Sequence, residues 1–397
     1  MIHLKQTPYS STSAFLSAAA KVAEYYGFES LEEMPRAKMA RRPLPAGARL
    51  DSDILFARRD ERTLPSAGKR LLAVEPTPSR ALLAWRTVPS PSQGGITFEL
   101  HAAGVPSAVA EALLIVTAHA ILKESGIQGH ALSINNMGSS ESCGRFVRDV
   151  GGYLRKHIES ISPTLRPRVG SDPLGTLVQL IERGHPAVSR APQAMEYLTE
   201  EERQRFWDLL EYLEVFGLPY ELNTQILGSR DCWMHALYEI ALSDPESGTR
   251  DTIAFGGRYD TLMSRLARTP YPAAMIGITC EIRGSSRIKR DARGIPAMYF
   301  AHLGSEARRR ALPALEQLRE AGIPLYHGLW HERIGDQMAT ARSLATPYIL
   351  IMGHKEAVEG TMLVREVATN AQEAVPLTEL ANYLKRRRLT PKVVERF

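Results

Sequence analysis

Cysteine is scarce: Cys143, Cys232 and Cys280 are the only three in 397 residues. They stand far apart, and no CxxC pair or Cys/His spacing of a zinc site accompanies them. That pattern argues for a reducing compartment. A membrane span is missing too, since no segment reaches the required apolar length. The first residues, "MIHLKQTPYSSTSAFLSAAAKVAEYYGF", lack a basic start followed by a long apolar run, so no signal peptide is expected and a cytoplasmic location is. Internal repeats are also missing. Charge of one sign does not dominate: 49 Lys and Arg face 44 Asp and Glu, a net +5. Such a mild basic excess fits a polyanionic partner without demanding one.

What is present suffices for a large core. Apolar residues make up 44% of the chain, and its length suits two or three domains. Ser11 to Tyr26 predicts an amphipathic helix, with Ala14, Phe15, Ala18, Val22 and Tyr25 at helical spacing and Gly27 as the stop. "FESLEEMP" predicts a short extended piece. Residues 36–70 carry ten basic and four acidic residues and three prolines, and read as a solvated loop. "LLAVEPTP", "GITFELHAAG" and "HALSINNMG" predict strands, and "SAVAEALLIVTAHAILKESG" a long helix. Residues 142–216 are helical and include "TEEERQRFWDLLEYLEVFG", with Thr199 as N-cap. "PYELNTQIL", "MHALYEIAL" and "DTIAFGGRYD" predict antiparallel strands.

"GSSRIKRDARG" (284–294) reads as a linker. Beyond it strands and helices alternate: "PAMYFAHL", "SEARRRALPALEQLREAG", "IPLYHGLW", "IGDQMATARSLA" and "TPYILIMG", then the hairpin "EGTMLVREVATNAQEAVPL" and a last helix "LTELANYLKRR". The fold class is therefore α+β around an antiparallel sheet over residues 1–283. A small α/β domain follows over 295–390, with a tail at 391–397.

Several stretches resemble the histidyl-tRNA synthetase family of class II aminoacyl-tRNA synthetases. "IAFGGRYDTL" looks like its second histidine-pocket signature, "YGFESLEEMP" like its dimer-interface motif, and "VEPTPSRA" like the stretch whose glutamate and threonine approach the substrate amino group. "ARSLATPYILIMGHKEAVEGTMLVREVATNAQEAVPLTEL" resembles its anticodon-binding domain. The resemblance implies a class II catalytic core, a homodimer and tRNA as partner. It also implies a histidine pocket formed by Glu75, Thr77, Asp231, Gly256, Gly257, Arg258 and Tyr259. In such a pocket bare glycine backbone lets a ligand approach, and the tyrosine hydroxyl pairs with an imidazole nitrogen. Arg258 and Asp260 can equally anchor the loop. For tRNA it implies Gln337, Lys355 and Arg365, with the basic run 385–388 nearby.

The family's reaction needs arginines that grip the ATP phosphates, usually with magnesium. Here the resemblance departs. The motif 2 stretch "WRTVPSPSQGGITFELH" keeps Arg86 but has Val88 where an acidic residue belongs, and its loop carries no positive charge. Alignment on Asp231 and Glu239 puts Gly228 at the catalytic arginine position. Arg230 is two residues out of register, a shift of about 7 Å along a strand. In the motif 3 stretch "PAAMIGITCEIRG" the arginine position holds Ile282, and Arg283 comes one residue late. Losing one charge-stabilising donor commonly costs about 3–4 kcal/mol at the transition state.

Three readings follow. The first is a synthetase-like protein that no longer catalyses and binds tRNA, histidine or both. The second is an active histidine–tRNA ligase using ATP and Mg2+ with Arg86 and Arg283. The third is a regulatory subunit resembling that of ATP phosphoribosyltransferase. No metal site is expected: His327 and His331 in "HGLWHE" have helical ligand spacing but fall on a strand end and loop.

Overall fold

The computed structural model describes residues 1–37, 63–75, 81–90, 94–243, 250–289 and 296–387. Its strands form two sheets. The first has eight strands: β1 (Glu29–Ser30), β2 (Leu82–Pro89), β3 (Gly95–Ala103), β4 (His130–Asn136), β5 (Tyr220–Leu222), β6 (Met234–Ser243), β7 (Arg250–Arg258) and β8 (Ala273–Glu281). Their spatial order is β1-β2-β3-β8-β7-β6-β4-β5, and the pairs from β2 to β4 are all antiparallel. The second sheet has five, β9 (Met298–His302), β10 (Tyr326–His327), β11 (Tyr348–Met352), β12 (Thr361–Glu366) and β13 (Gln372–Pro376), ordered β10-β9-β11-β12-β13.

Strand alternation divides the large sheet into two faces. On one, Leu83, Trp85, Phe98 and Leu100 point toward α1 (Thr12–Tyr25), α3 (Val109–Glu124) and α7 (Glu200–Phe216). Helix α3 is apolar nearly all round because it is covered on every side, so almost all of its residues are buried. On the other face, Leu82, Ala84, Phe255 and Met275 meet α2 (Leu64–Leu72), α8 (Asp260–Ala267) and the helical insertion. On this face the insertion contributes α4 (Ser140–Lys156), α5 (Arg168–Ser171) and α6 (Pro173–Glu182), whereas α7 packs on the first. Thr199 caps α7, and Glu202 closes the capping box.

Helices α9 (Ser305–Glu320), α10 (Ile334–Ser343), α11 (His354–Glu359) and α12 (Leu377–Arg386) surround the second sheet. Leu312 and Leu315 of α9 share one apolar cluster with Leu209 and Leu213 of α7. Arg309 reaches Glu211 at 2.5 Å, the Tyr26 hydroxyl donates to Glu316 at 2.6 Å, and Tyr25 donates to the Ile323 carbonyl at 3.1 Å.

Four sequence expectations change. Helix α2 occupies the end of the stretch read as a loop, because Leu64, Ala67 and Leu71 have an apolar surface to cover; residues 38–62 lie outside the described ones. In "LLAVEPTP" the described residues 71–75 form no strand: they begin as the end of α2, and Val74 makes an isolated bridge to Arg36. "PYELNTQIL" contributes only three strand residues, and they pair parallel to β4. Finally, the apolar face of α1 needs no second chain. Phe15, Leu16, Ala19, Ala20 and Ala23 are buried within this one, in the same cluster as α3 and α9.

Candidate functional site

Arg86 sits on β2 directly across from Glu99 on β3, and His101 follows Glu99 on the same face of that strand. Tyr259 ends the β7 stretch and opens α8, its amide held by the Ala273 carbonyl at 2.8 Å. Helix α2 supplies Thr63 and Ser66 from above. These side chains form one polar chain, buried at Arg86, Glu99, His101 and Tyr259 and reaching the surface at Ser66. The Arg86 Nε donates to Glu99 at 2.6 Å, its Nη1 to the Ser66 hydroxyl at 3.0 Å and its Nη2 to the Thr63 carbonyl at 2.9 Å. Thr63 donates to the other Glu99 oxygen at 2.6 Å. His101 Nε2 lies 3.0 Å from Glu99, and His101 Nδ1 lies 3.0 Å from the Tyr259 hydroxyl.

Protonation follows from the partners. Burial alone would raise the Glu99 carboxyl, but the bonds from His101 and Thr63 and the Arg86 charge hold it down at about 2. A carboxylate only accepts, so His101 carries its proton on Nε2, and Nδ1 accepts from Tyr259. Complete burial lowers the His101 pKa despite Glu99, which leaves the ring neutral. Burial also pushes Tyr259 far above its ordinary range, so it stays a donor. A tyrosine hydroxyl suited to an imidazole ligand is thus already bonded to an imidazole of the chain itself.

The glycines of the signature face protein. A Cβ on Gly256 would lie 2.1 Å from the Met275 carbonyl oxygen, and one on Gly257 2.5 Å from Leu237 Cδ2. A Cβ on Gly228 would lie 2.5 Å from Trp233 Cδ1. Trp233 is buried edge-on against Phe255 and Tyr259, with ring centroids 5.5 and 6.4 Å away. Arg258 makes a two-point pair with Glu111 at 3.0 and 2.9 Å and touches Asp260 at 3.3 Å. Asp260 in turn accepts from the Ala273 amide at 2.7 Å. Arg258 and Asp260 therefore anchor the loop.

The remaining residues lie apart from this chain. Glu75 is exposed, its amide bound to the Pro35 carbonyl, and Thr77 lies outside the described residues. Asp231 is half-buried on a loop below Trp233. Strand β8 runs on from Gly277, opposite Glu99, to Glu281, a further 13 Å or so at strand rise. Arg283 lies beyond that, exposed, with its amide bonded to Thr12 at the start of α1. Among the described residues 282–289 no helix turns Ile282 or Arg283 back toward Arg86.

In the second sheet, Gln337 departs from its expected part as an RNA contact. It is fully buried, and both ends of its amide bond the His302 main chain at 2.9 Å. Lys355 is exposed beside Glu359, and Arg365 bonds Asn370 at 2.7 Å. His327 and His331 belong to no group able to hold a metal among the described residues.

Glu99, His101, Thr63 and Ser66 were not singled out from the sequence. The available signal was Glu99 and His101 at alternate positions in the apolar strand "GITFELHAAG".

The Anticodon binding domain model matches residues 299–387, the whole second sheet with its helices. The histidine–tRNA ligase of Thermosynechococcus vestitus is 29% identical over 71% of this chain and 66% of its own length. Histidine–tRNA ligase 1 of Shouchella clausii is 26% identical over 73% and 69%. The matched region thus spans only about two thirds of these relatives. Among solved structures, apo S. aureus histidyl-tRNA synthetase superposes with a TM-score of 0.49 at 16% identity, over 94% of this chain and 95% of that one. With an anticodon-binding domain behind an antiparallel sheet, the chain is similar to histidine–tRNA ligases along most of its length.

Proposed function

We propose that this protein is a synthetase-like tRNA-binding protein that does not charge tRNA. One observation carries the reading: among the described residues, Arg86, Glu99, His101 and Tyr259 are buried and bonded to one another. Aminoacyl transfer needs an open site whose arginines face phosphate. Arg86, the arginine kept from motif 2, spends its donors on Glu99, Ser66 and Thr63. Trp233 occupies the space beside Gly228. His101 stands against the hydroxyl that would orient a histidine substrate. On this reading ATP and Mg2+ drive no reaction here, and free histidine is not held beside Tyr259.

The tRNA half of the reading rests on the anticodon-binding match and on the ligases it resembles. Lys355 and Arg365, with Lys385, Arg386 and Arg387 at the end of α12, supply its candidate phosphate contacts. The homodimer implied by the family also belongs to the proposal. Light scattering that returns a monomer mass at micromolar protein sinks that part alone.

Two assays on the full chain test the rest. Histidine-dependent pyrophosphate exchange is expected at background. Filter binding of tRNA is expected to weaken steeply with salt and to drop further in a Lys355→Glu/Arg386→Glu variant. Robust exchange overturns the non-catalytic half, and tRNA binding that ignores both salt and variant overturns the other.

A further inference from the structure

The stretch after β8, expected as a linker, is a strap laid along α1. Gly284, at φ +75°, turns the chain out of the strand direction. Thr12 holds the start of the strap. Its amide donates to the Arg283 carbonyl at 3.1 Å, and its hydroxyl accepts from the Arg283 amide at 2.6 Å. The Ser13 hydroxyl then donates to the Arg287 carbonyl, and the Ser17 hydroxyl accepts from the Lys289 amide at 2.9 Å. The strap thus runs in the same direction as the helix. At the end of α1, Tyr25 and Tyr26 bond the Ile323 carbonyl and Glu316 beside the second sheet.

Ile288 packs against the main apolar cluster, while Arg287 and Lys289 on either side of it are exposed. One inward side chain between two outward ones directs both charges to solvent. Arg283 is exposed as well. From 282 to 289 the chain has three cations and no acid. Among the described residues no ion pair holds these three, whereas Arg309, Arg310 and Arg319 of α9 each pair with a glutamate. Glu281, the carboxylate just before the strap, is taken by His3 and the Leu4 amide. Lys21 adds an exposed cation on the α1 stripe that begins with Ser13 and Ser17.

Contacts to a phosphate backbone need placed positive charge and no base edge. A strap already pinned to a helix loses little freedom on binding. Its one exposed apolar side chain, Ile282, is too little for the desolvated centre of a protein interface. We propose that the strap at residues 283–289, zippered to α1, is a contact for the phosphate backbone of RNA through Arg283, Arg287 and Lys289. The inference rests on the tRNA-binding reading. It adds a second place of contact on the first domain, apart from Lys355, Arg365 and the end of α12.

The test is filter binding of tRNA to the full chain across a salt series. Arg283→Ala/Arg287→Ala/Lys289→Ala should weaken binding at least about tenfold at low salt. It should also lower the slope of log affinity against log salt by about 2–3, roughly one per lost phosphate contact. Ser13→Ala/Ser17→Ala keeps the charges and frees the strap, so affinity should fall by less while the slope stays as it was. Arg203→Ala/Arg310→Ala removes cations already paired with Glu200 and Glu306 and should change neither quantity. Circular dichroism melts confirm that the variants are folded. Wild-type protein that binds no tRNA overturns the tRNA-binding reading and this inference with it. Wild-type binding that the strap variant leaves unchanged in affinity and slope overturns the strap alone, whatever Lys355→Glu/Arg386→Glu does. A strap variant that keeps its tRNA binding but no longer sediments with phosphatidylglycerol vesicles overturns it in favour of a membrane surface.

Discussion

His101 Nδ1 accepts a hydrogen bond from the Tyr259 hydroxyl at 3.0 Å, in a site closed to solvent. Removing that ring in His101→Ala leaves an imidazole-sized cavity and an unpaired tyrosine and glutamate. A loss of about 2–5 kcal/mol of stability is expected. Free imidazole should restore part of it by mass action and raise the melting temperature of the variant but not of the wild type. A variant indifferent to imidazole would show that the ring is not held in a ligand-shaped space.

Arg86→Ala should act on stability rather than on any reaction. It strands the buried Glu99 carboxylate with fewer donors, a change worth about 3–5 kcal/mol for a buried pair. Arg86→Lys should recover little, since one ammonium cannot reach Glu99, Ser66 and the Thr63 carbonyl together. Urea midpoints of the three proteins rank them.

Acid should unfold the protein in two stages. Burial lowers His119, His235 and His302 to about 4. Unfolded, they take up protons near their ordinary value, so stability present above pH 6.5 is lost as pH falls toward 4. Glu99, Glu111 and Glu202 are held at about 2, their partners outweighing burial. Their contribution is present above the ordinary carboxylate range and disappears as pH falls toward 2. Each group gives a slope of at most about 1.4 kcal/mol per pH unit inside its window. Chemical denaturation at pH 7.5, 5.5 and 3.5 should show a falling midpoint at each step.

Putting the missing arginine back should not restore chemistry. Gly228→Arg drives a side chain into Trp233, and even Gly228→Ala should cost about 1–3 kcal/mol by overpacking. Pyrophosphate exchange by the Arg variant is expected to stay at background. Activity gained without loss of stability would mean that Trp233 moves aside readily.

Much of the architecture could be read because periodicity carries it. Thr199 and Glu202 announce α7, and the strand–helix alternation after residue 296 announces the second sheet. Helix α2 escaped because its short apolar face is interrupted by charge and follows prolines and arginines; what makes it a helix is the surface of α8 beneath it, where Gly68 packs close to Leu266 and Met263. The site was half legible. "GGRYD" points to Tyr259, and motif comparison shows the lost arginines. That Glu99 and His101 would complete the polar chain depends on β2 pairing with β3 in the register that sets Arg86 against Glu99, a long-range fact. The glycines misled in an instructive way. Close approach was the right reason for them, but the approaching atoms are Met275, Leu237 and Trp233 rather than a ligand.

The shared apolar cluster of α7 and α9, tied by Tyr26 to Glu316, has a mechanical consequence. Swinging the second sheet away would expose Leu209, Leu213, Leu312 and Leu315 together, so it cannot close on a bound molecule as a jaw would. The distance of the second sheet from the first is set by this packing. A partner long enough to touch both is measured against a fixed gauge and is accepted or refused by its own length and curvature.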